Sequence, residues 1–533
     1  MRGMVVAAQP EAAEAGVLTL RRGGNAVDAA IAAAFVQGVV DPLMTGIAGY
    51  GTMQVYLPRR GVHQHLTFYA RAPRAARPDM WADIVTGQSR DGFAYLVKDH
   101  VNEIGYQAPG TPGNLRGYTD ALADFGTMEL ADVMRPAIDQ ARRGFMVRPY
   151  VHYYWTLDQR ATGMLNPADY LRFSRTGREV YCAPDGTPKR PGQHVANPDM
   201  ARSLERIARH GPDIFYQGEM AEEMVADFQR HGGLLSMEDL REYRTVRSDP
   251  VWGSYRGHRV ASLQAPGGGL SLLQLLHILE QFDIGALEHG SAEHLRILAE
   301  AMKQVAIDKD AHIGDPDFVE VPVDMLLSKD RAAEIAARIR QGEKARVARM
   351  SYEAADTTHV TVVDQEGNAV ALTHTLGNPP GVITDGMGFM YNGLMNGFDP
   401  RPGRAGSIAP GKSRTSSQCP TIVFKGEDPF MVLGAPGGTA IVPALGQGIS
   451  NVIDFGMTMF EAVAAPRISV NSDTIDVSNR IPRYVTEALE EQGYPIARSY
   501  MGFAFAALHA IRIEDGRLAG GADPQRDGVA LSA

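Results

Sequence analysis

The sequence predicts an α+β protein with stacked antiparallel sheets, made of a helix-rich first part and a strand-rich second part. Two observations carry this. The first half alternates helical and extended patterns, with helical apolar spacing over residues 26–40 and several helices after it. From Thr357 onward the spacing turns to alternation, broken by short glycine-bearing turns.

The elements follow in order. Residues 26–40 form an apolar run interrupted by Asp28 and Gln37. It is too short and too polar to span a bilayer, so it reads as a buried core helix. Residues 52–57 read as a strand, and 201–210 and 220–231 as amphipathic helices. Gly267, Gly268 and Gly269 make a tight turn into a packed helix over 270–282. That turn lacks the Gly-Lys-Ser/Thr ending of a phosphate loop. Residues 292–307 and 329–341 are two further helices. Then residues 358–363 alternate, Gln365-Glu366-Gly367-Asn368 turns, and 369–375 return, which is a β-hairpin. The arrangement repeats with 421–424 and 430–433 around Gly426, and again with 504–513 before the turn Glu514-Asp515-Gly516.

Composition limits the function classes. The chain has 533 residues, a formal charge of -10 and no dense Lys/Arg run, which argues against a nucleic-acid partner. No membrane partner is expected either. Its two cysteines, Cys182 and Cys419, make no disulfide framework. With no basic-then-apolar leader at the N-terminus, a cytoplasmic location is expected. No HExxH or CxxC motif appears, so neither a metal nor another cofactor is expected. His63 and His65 read as surface histidines of a loop.

The chemistry sits in the hairpin. An isolated Asp-Thr reads as an ordinary strand opening. The text from Asp356, DTTHVTVVDQEGNAVALTHTLG, says more. It closely resembles the start of the small subunit in the γ-glutamyltransferase family, with its Thr-Thr-His, Val-Val-Asp, Gly-Asn-Ala-Val and Thr-x-Thr. The resemblance covers nearly the whole chain. GGNAVDAAIAAAF, the turn Gly110-Thr111-Pro112-Gly113, GPDIFYQG, GGLLSMEDLREY, YRGHRV, AEAMKQVAIDKDAHIGDPDF, SSQCPTIV and GAPGG follow in family order. It implies an Ntn-hydrolase fold, a four-layer αββα sandwich. It also implies a proenzyme that cuts itself between Asp356 and Thr357, giving a large subunit of residues 1–356 and a small one of 357–533. The two are expected to stay associated, with higher homo-oligomers open.

The residues support that chemistry. A threonine hydroxyl needs a base, and the α-amine of an N-terminal threonine, with a pKa near ~8, supplies one. That amine exists only once the preceding peptide bond is broken. By the resemblance, Thr375 on the return strand bonds the nucleophile, Gly437 and Gly438 form the oxyanion loop, and Ser416 and Ser417 contact a substrate carboxylate. Strand alternation puts His359 on the face of Thr357.

The chain also departs from the family. Where the family carries Arg-Glu-x-Ala-Pro, it reads Tyr69-Ala70-Arg71-Ala72-Pro73. Thr-Leu-Asn becomes Thr375-Leu376-Gly377, with Asn378 next. Asn-Asn-Gln-Met-Asp-Asp-Phe becomes residues 392–398, with Leu394 at the glutamine, Asn396 beside it, and Gly397 at the aspartate that would hold a substrate ammonium. The cutting machinery is retained and the glutamyl pocket rebuilt. The expected substrate is therefore a small amide carrying one carboxylate, of the oxamate type, met by Arg71 or Arg414 with Tyr69 and Asn396 in the pocket. The alternatives are a true γ-glutamyl hydrolase or transpeptidase, a glutaryl-type cephalosporin acylase, and a catalytically dead binding or scaffold homologue. Thr357, Thr375 and Gly437-Gly438 favour an enzyme over the last.

Overall fold

A computed structural model of the chain describes residues 3–89, 92–160, 163–347, 357–499 and 505–533. Asp356 lies outside the described residues, as does residue 504 of the last expected hairpin. The expected hairpin is present as the strands Thr358–Val363 and Ala369–Thr375, paired antiparallel from Thr358↔His374 to Val363↔Ala369. It forms the centre of a seven-stranded sheet. Met4–Ala7 and then Val529–Ser532 lie on one side, and Tyr50–Leu57, Val62–Phe68 and Val246–Ser248 on the other.

The second sheet has six strands, in the order Arg517–Ala522, His509–Glu514, Asp428–Gly434, Thr421–Lys425, His258–Ser262 and Val251–Tyr255. Every pairing within both sheets is antiparallel. Segments before and after Thr357 contribute strands to both.

Alternation along the strands sorts side chains into layers. Val6, Val363 and Ala371 meet Ile422, Val432 and Ile511 between the sheets. The opposite face of the first sheet, with Val360, Val362, Val370 and Leu372, packs under Ala26–Val40. The outer face of the second, with Val260, Met431 and Leu433, packs under Gly269–Leu279 and Ile441–Ile453. This is the helix–sheet–sheet–helix order of the Ntn-hydrolase sandwich. Among the described residues, no helix is long and apolar enough to cross a membrane.

The helix Ala26–Val40 is buried along its whole length, and its two polar interruptions have structural work. Asp28 completes a capping box with Asn25 and accepts bonds from Thr127 N, Thr127 Oγ1 and Met128 N. Gln37 reaches the strand Thr358–Val363.

The histidine pair corrects an expectation. His63 and His65 lie in the strand Val62–Phe68, not in a surface loop. His65 pairs with Gln54, which pairs with Ala371, so it faces the second sheet and is fully buried. Burial pulls its pKa down to about 3. The strand escapes a sequence reading because His63, Gln64 and His65 put three polar residues in a row, which hides the alternation.

Candidate active site

Thr357 immediately precedes its strand, and the register that sets Thr358 opposite His374 brings it level with Thr375. Its Oγ1 lies 3.4 Å from Thr375 Oγ1, which in turn accepts from Gly377 N at 2.7 Å. Gly377 has φ of +67°, so the glycine in place of the family's asparagine makes the turn that delivers this N–H. Both threonines are buried and line a cavity of about 480 Å³.

Gly438 and Thr439 line the same cavity, at the start of the turn Gly438–Ala440 that runs into the helix Ile441–Ile453. A helix start carries partial positive charge and so suits an anion. Gly437 does not line the cavity. Its φ is +145°, and a Cβ there would overlap Ala506, so it serves the bend before Gly438.

Ser416 and Ser417 form another part of the wall. The expected glycine turn holds them: Gly268 N donates to Gln418 O at 2.9 Å, and a Cβ on Gly268 would overlap Ser417 O. Ser416 N donates to Pro266 O at 2.8 Å. Arg414, two residues earlier, lines the cavity and is 7% exposed.

The remaining expected residues are not brought to this cavity. Arg71 is the clearest correction. Its backbone bridges Thr111, and its Nη1 donates to Gly411 O at 3.2 Å, in a separate groove beside Asp239 and Glu242. A cation there does not serve Thr357. Tyr69 is buried against Tyr50 outside the cavity lining, with ring centroids 6.3 Å apart. Burial pushes its phenol well above the ordinary range, with Ser416 and Arg414 opposing the shift. Asn396 is fully buried and does not line the cavity, whereas Gly397 does. Leu394 packs on Gly110, where a Cβ would overlap it, and Asn392 fastens the same turn by accepting from Gly110 N at 3.0 Å.

His359 faces the second sheet, as alternation requires, but does not line the cavity. Its Nδ1 bonds Thr373 Oγ1 at 2.8 Å and its Nε2 bonds Thr361 Oγ1 at 2.9 Å. Burial holds its pKa well below the ordinary value, so it is neutral.

Sequence reasoning missed the polar group on the other side of the strand. Gln37 Nε2 donates to Gln9 Oε1 at 2.8 Å, Thr358 Oγ1 at 2.9 Å and His359 O at 3.2 Å. Gln37 Oε1 meets His374 Nε2 at 2.7 Å, and Gln9 Nε2 continues to Asp41 Oδ2 at 2.8 Å. The available signal was Gln37 itself, a polar residue in an apolar helix. Asp399 also escaped notice; it lines the cavity and is held by Arg401 at 2.8 and 2.9 Å. Among the described residues, no cluster of three or more His, Cys, Asp or Glu side chains is placed to hold a metal ion.

Comparison with known proteins gives the family and the fold. The sequence model of the gamma-glutamyltranspeptidase family matches residues 12–533. The chain belongs to the gamma-glutamyltranspeptidase family. This member is 38% identical to the Acylase ACY 1 proenzyme of Pseudomonas sp. (strain V22), over 100% of this chain and 93% of that protein. It is 34% identical to the Glutathione hydrolase proenzyme of Escherichia coli (strain K12), over 98% and 90% of the two chains. Its fold superimposes on the cephalosporin acylase of Bacillus halodurans with a TM-score of 0.86 at 28% identity, covering 99% of this chain and 95% of that one. Family and fold make it an Ntn-type hydrolase or acyltransferase.

Proposed function

We propose that this family member is a self-cleaving amidohydrolase. Thr357, freed as an N-terminal residue, hydrolyses the amide bond of a small substrate whose acyl part carries a carboxylate. The observation that supports this most is the pair of hydroxyls, Thr357 and Thr375, 3.4 Å apart on the wall of a cavity that Gly438, Ser416 and Ser417 also line.

The base follows by elimination. His359 is neutral but spends both ring nitrogens on threonine hydroxyls and lies off the cavity wall. The α-amine of Thr357 is the group next to the hydroxyl. It takes the Oγ1 proton as Oγ1 attacks the amide carbonyl. The tetrahedral oxyanion faces the N–H groups at the helix start by Gly438, where one good donor contributes about 2.7–4 kcal/mol. Collapse breaks the C–N bond, and the leaving amine departs with the proton. The acyl ester on Thr357 is then hydrolysed by water, which returns the hydroxyl.

An oxamate-type amide is the smallest substrate of this class. A cavity of about 480 Å³ is roomier than such a molecule needs, which favours a longer acyl chain of the glutaryl type as a second reading. Steady-state kinetics on oxamate, glutaryl-p-nitroanilide and γ-glutamyl-p-nitroanilide test both. The expected result is a kcat/KM for a carboxylated amide without an α-ammonium at least tenfold above that of the γ-glutamyl compound. A γ-glutamyl value equal to or above the others would show that the pocket reads glutamate.

A further inference from the structure

Gly397 and Arg414 share one space. A Cβ built on Gly397 would overlap Cζ, Nη1 and Nε of the Arg414 guanidinium, so this arginine can lie there only because residue 397 has no side chain. Both residues line the cavity that holds Thr357. Gly397 stands at the position where the family resemblance expects an aspartate for a substrate ammonium. The sign of the subsite is thereby reversed: a cation lies where an anion is expected.

The cation is also incompletely satisfied. Arg414 is 7% exposed, and its Nη1 is buried with no hydrogen-bond partner. Its other bonds go to neutral carbonyls, Phe93 O at 3.3 Å and Thr415 O at 3.4 Å. Among the described residues no carboxylate lies within ion-pair distance of it. Asp399, the nearby acid of the same cavity, is engaged by Arg401 and lies 3.6 Å from Arg404. The face of the guanidinium is covered by the Phe93 ring, with Cζ 4.4 Å from the centroid. That leaves Nη1, which shares an edge of the guanidinium with Nη2, and such an edge can grip a carboxylate with two parallel bonds. A buried charge without a counter-charge is costly, and an incoming anion relieves that cost.

We infer that Arg414 is the receptor for the acyl carboxylate, seated by the absent side chain of Gly397, and that it selects an anionic acyl chain with no ammonium beside the carboxylate. This rests on the amidohydrolase reading above for the identity of the ligand as an acyl group. An α-ammonium brought to the same place would meet a like charge.

The test combines binding with turnover on the purified processed protein. Glutarate and L-glutamate are titrated calorimetrically into wild type, Arg414→Gln, Arg414→Lys and Gly397→Ala, with circular dichroism to check folding. Wild type is expected to bind glutarate at least tenfold more tightly than L-glutamate. Arg414→Gln and Gly397→Ala should each weaken glutarate binding tenfold or more, the second by displacing an arginine that is still present. Arg414→Lys should fall between. The ratio of kcat/KM for glutaryl-p-nitroanilide to that for butyryl-p-nitroanilide should drop by a similar factor in the same variants. Glutarate binding that is absent in wild type, unchanged in a folded Arg414→Gln, or matched by L-glutamate overturns the inference. Arg414-dependent glutarate binding by a protein that hydrolyses no amide leaves it standing and overturns the amidohydrolase reading instead.

Discussion

The backbone of Gly434 rests on the imidazole of His359. A Cβ at Gly434 would overlap the ring, so the end of the strand Asp428–Gly434 approaches the nucleophile segment more closely than any side chain permits. Gly434 opens the loop that reaches Gly438, and His359 stands two residues after Thr357. The contact therefore sets the distance between the segment that carries Thr357 and the loop that reaches Gly438, the two parts that the proposed reaction brings together. Gly434→Ala should destabilise the fold by about 1–3 kcal/mol, the usual cost of overpacking, and slow self-cleavage. Thermal melting and the time course of fragment formation check this. A variant as stable and as fast as wild type would show that the gap accommodates a methyl group.

Gln37 fixes the other face of the same strand. Gln37→Leu keeps the apolar volume but takes the shared partner from His359 O and His374 Nε2 and leaves Gln9 Oε1 only its bond from Thr358 Oγ1 at 3.3 Å. A buried polar group left unpaired costs about 1–3 kcal/mol, so a loss of several kcal/mol in all is expected, along with slower cleavage. Urea unfolding of the variant in a Thr357→Ala background measures the stability term on an uncut chain. No change in midpoint would mean that neighbouring groups repair the network.

Asp41, at the far end of this network, gives a pH dependence of defined sign. Burial raises its pKa from 3.8 to about 6, against the pull of Arg148 and the bond from Gln9. An acid whose folded pKa lies above its unfolded one binds more protons when folded. Its contribution is fully present below about pH 4 and is lost as pH rises through about 6, amounting to roughly 3 kcal/mol at ~1.4 kcal/mol per pH unit. Asp41→Asn removes this titration. The variant should be more stable than its parent at pH 7–8, and the difference should vanish near pH 4. Urea unfolding at those pH values, again without cleavage, decides it. A constant difference across the range would place the titration elsewhere.

Much of this was legible in the sequence for identifiable reasons. The hairpin at Thr358–Val363 was readable because Val360, Val362, Val370 and Leu372 sit at a strict period of two with a glycine turn between them. Thr357 and Thr375 stood out through the text around them, DTTHVTVVDQEGNAVALTHTLG, which resembles the start of the family's small subunit. Arg71 misled because the order of residues along a loop does not say which groove a side chain enters; its bridge to Thr111 turns it toward Gly411. Arg414 was legible as a candidate for the carboxylate because it stands two residues before Ser416, but nothing in the sequence ranked it above Arg71. The absent side chain at Gly397 was also legible, but that Arg414 fills its space is a contact between side chain and backbone that only the fold shows.

Self-cleavage itself is open to direct measurement. On the proposed reading, attack by Thr357 Oγ1 on the Asp356 carbonyl would move the acyl group from nitrogen to oxygen, and water would then split the ester. The expected products are chains of 356 and 177 residues (533 minus 356). Intact mass and N-terminal sequencing should find the smaller one starting with Thr357-Thr358-His359. Thr357→Ala should remain one chain and be inactive. Thr357→Ser should still process, more slowly, because the hydroxyl survives while the methyl that restricts its rotamer is lost. A small fragment beginning elsewhere, or a cleaved Thr357→Ala, would assign the attack to another residue.

The two chains should stay together after the cut. The central hairpin of the first sheet belongs to the second chain, yet it pairs with Met4–Ala7 on one side and Tyr50–Leu57 on the other, both from the first. The second sheet is joined the same way where His258–Ser262 meets Thr421–Lys425. With the pairing of Met4–Ala7 to Val529–Ser532, separation would break four antiparallel ladders at once. It would also expose Val360, Val362, Val370 and Leu372, now fully buried beneath the helix Ala26–Val40. Each such side chain contributes about 1.5–3 kcal/mol by leaving water, and the inter-sheet layer adds more of the same kind. Losing one covalent bond at Thr357 removes none of these contacts. Gel filtration of the processed protein in native buffer should therefore give both fragments in one peak, and in concentrated urea two. Two peaks in native buffer would mean that the sheets are held by the peptide bond and not by their packing.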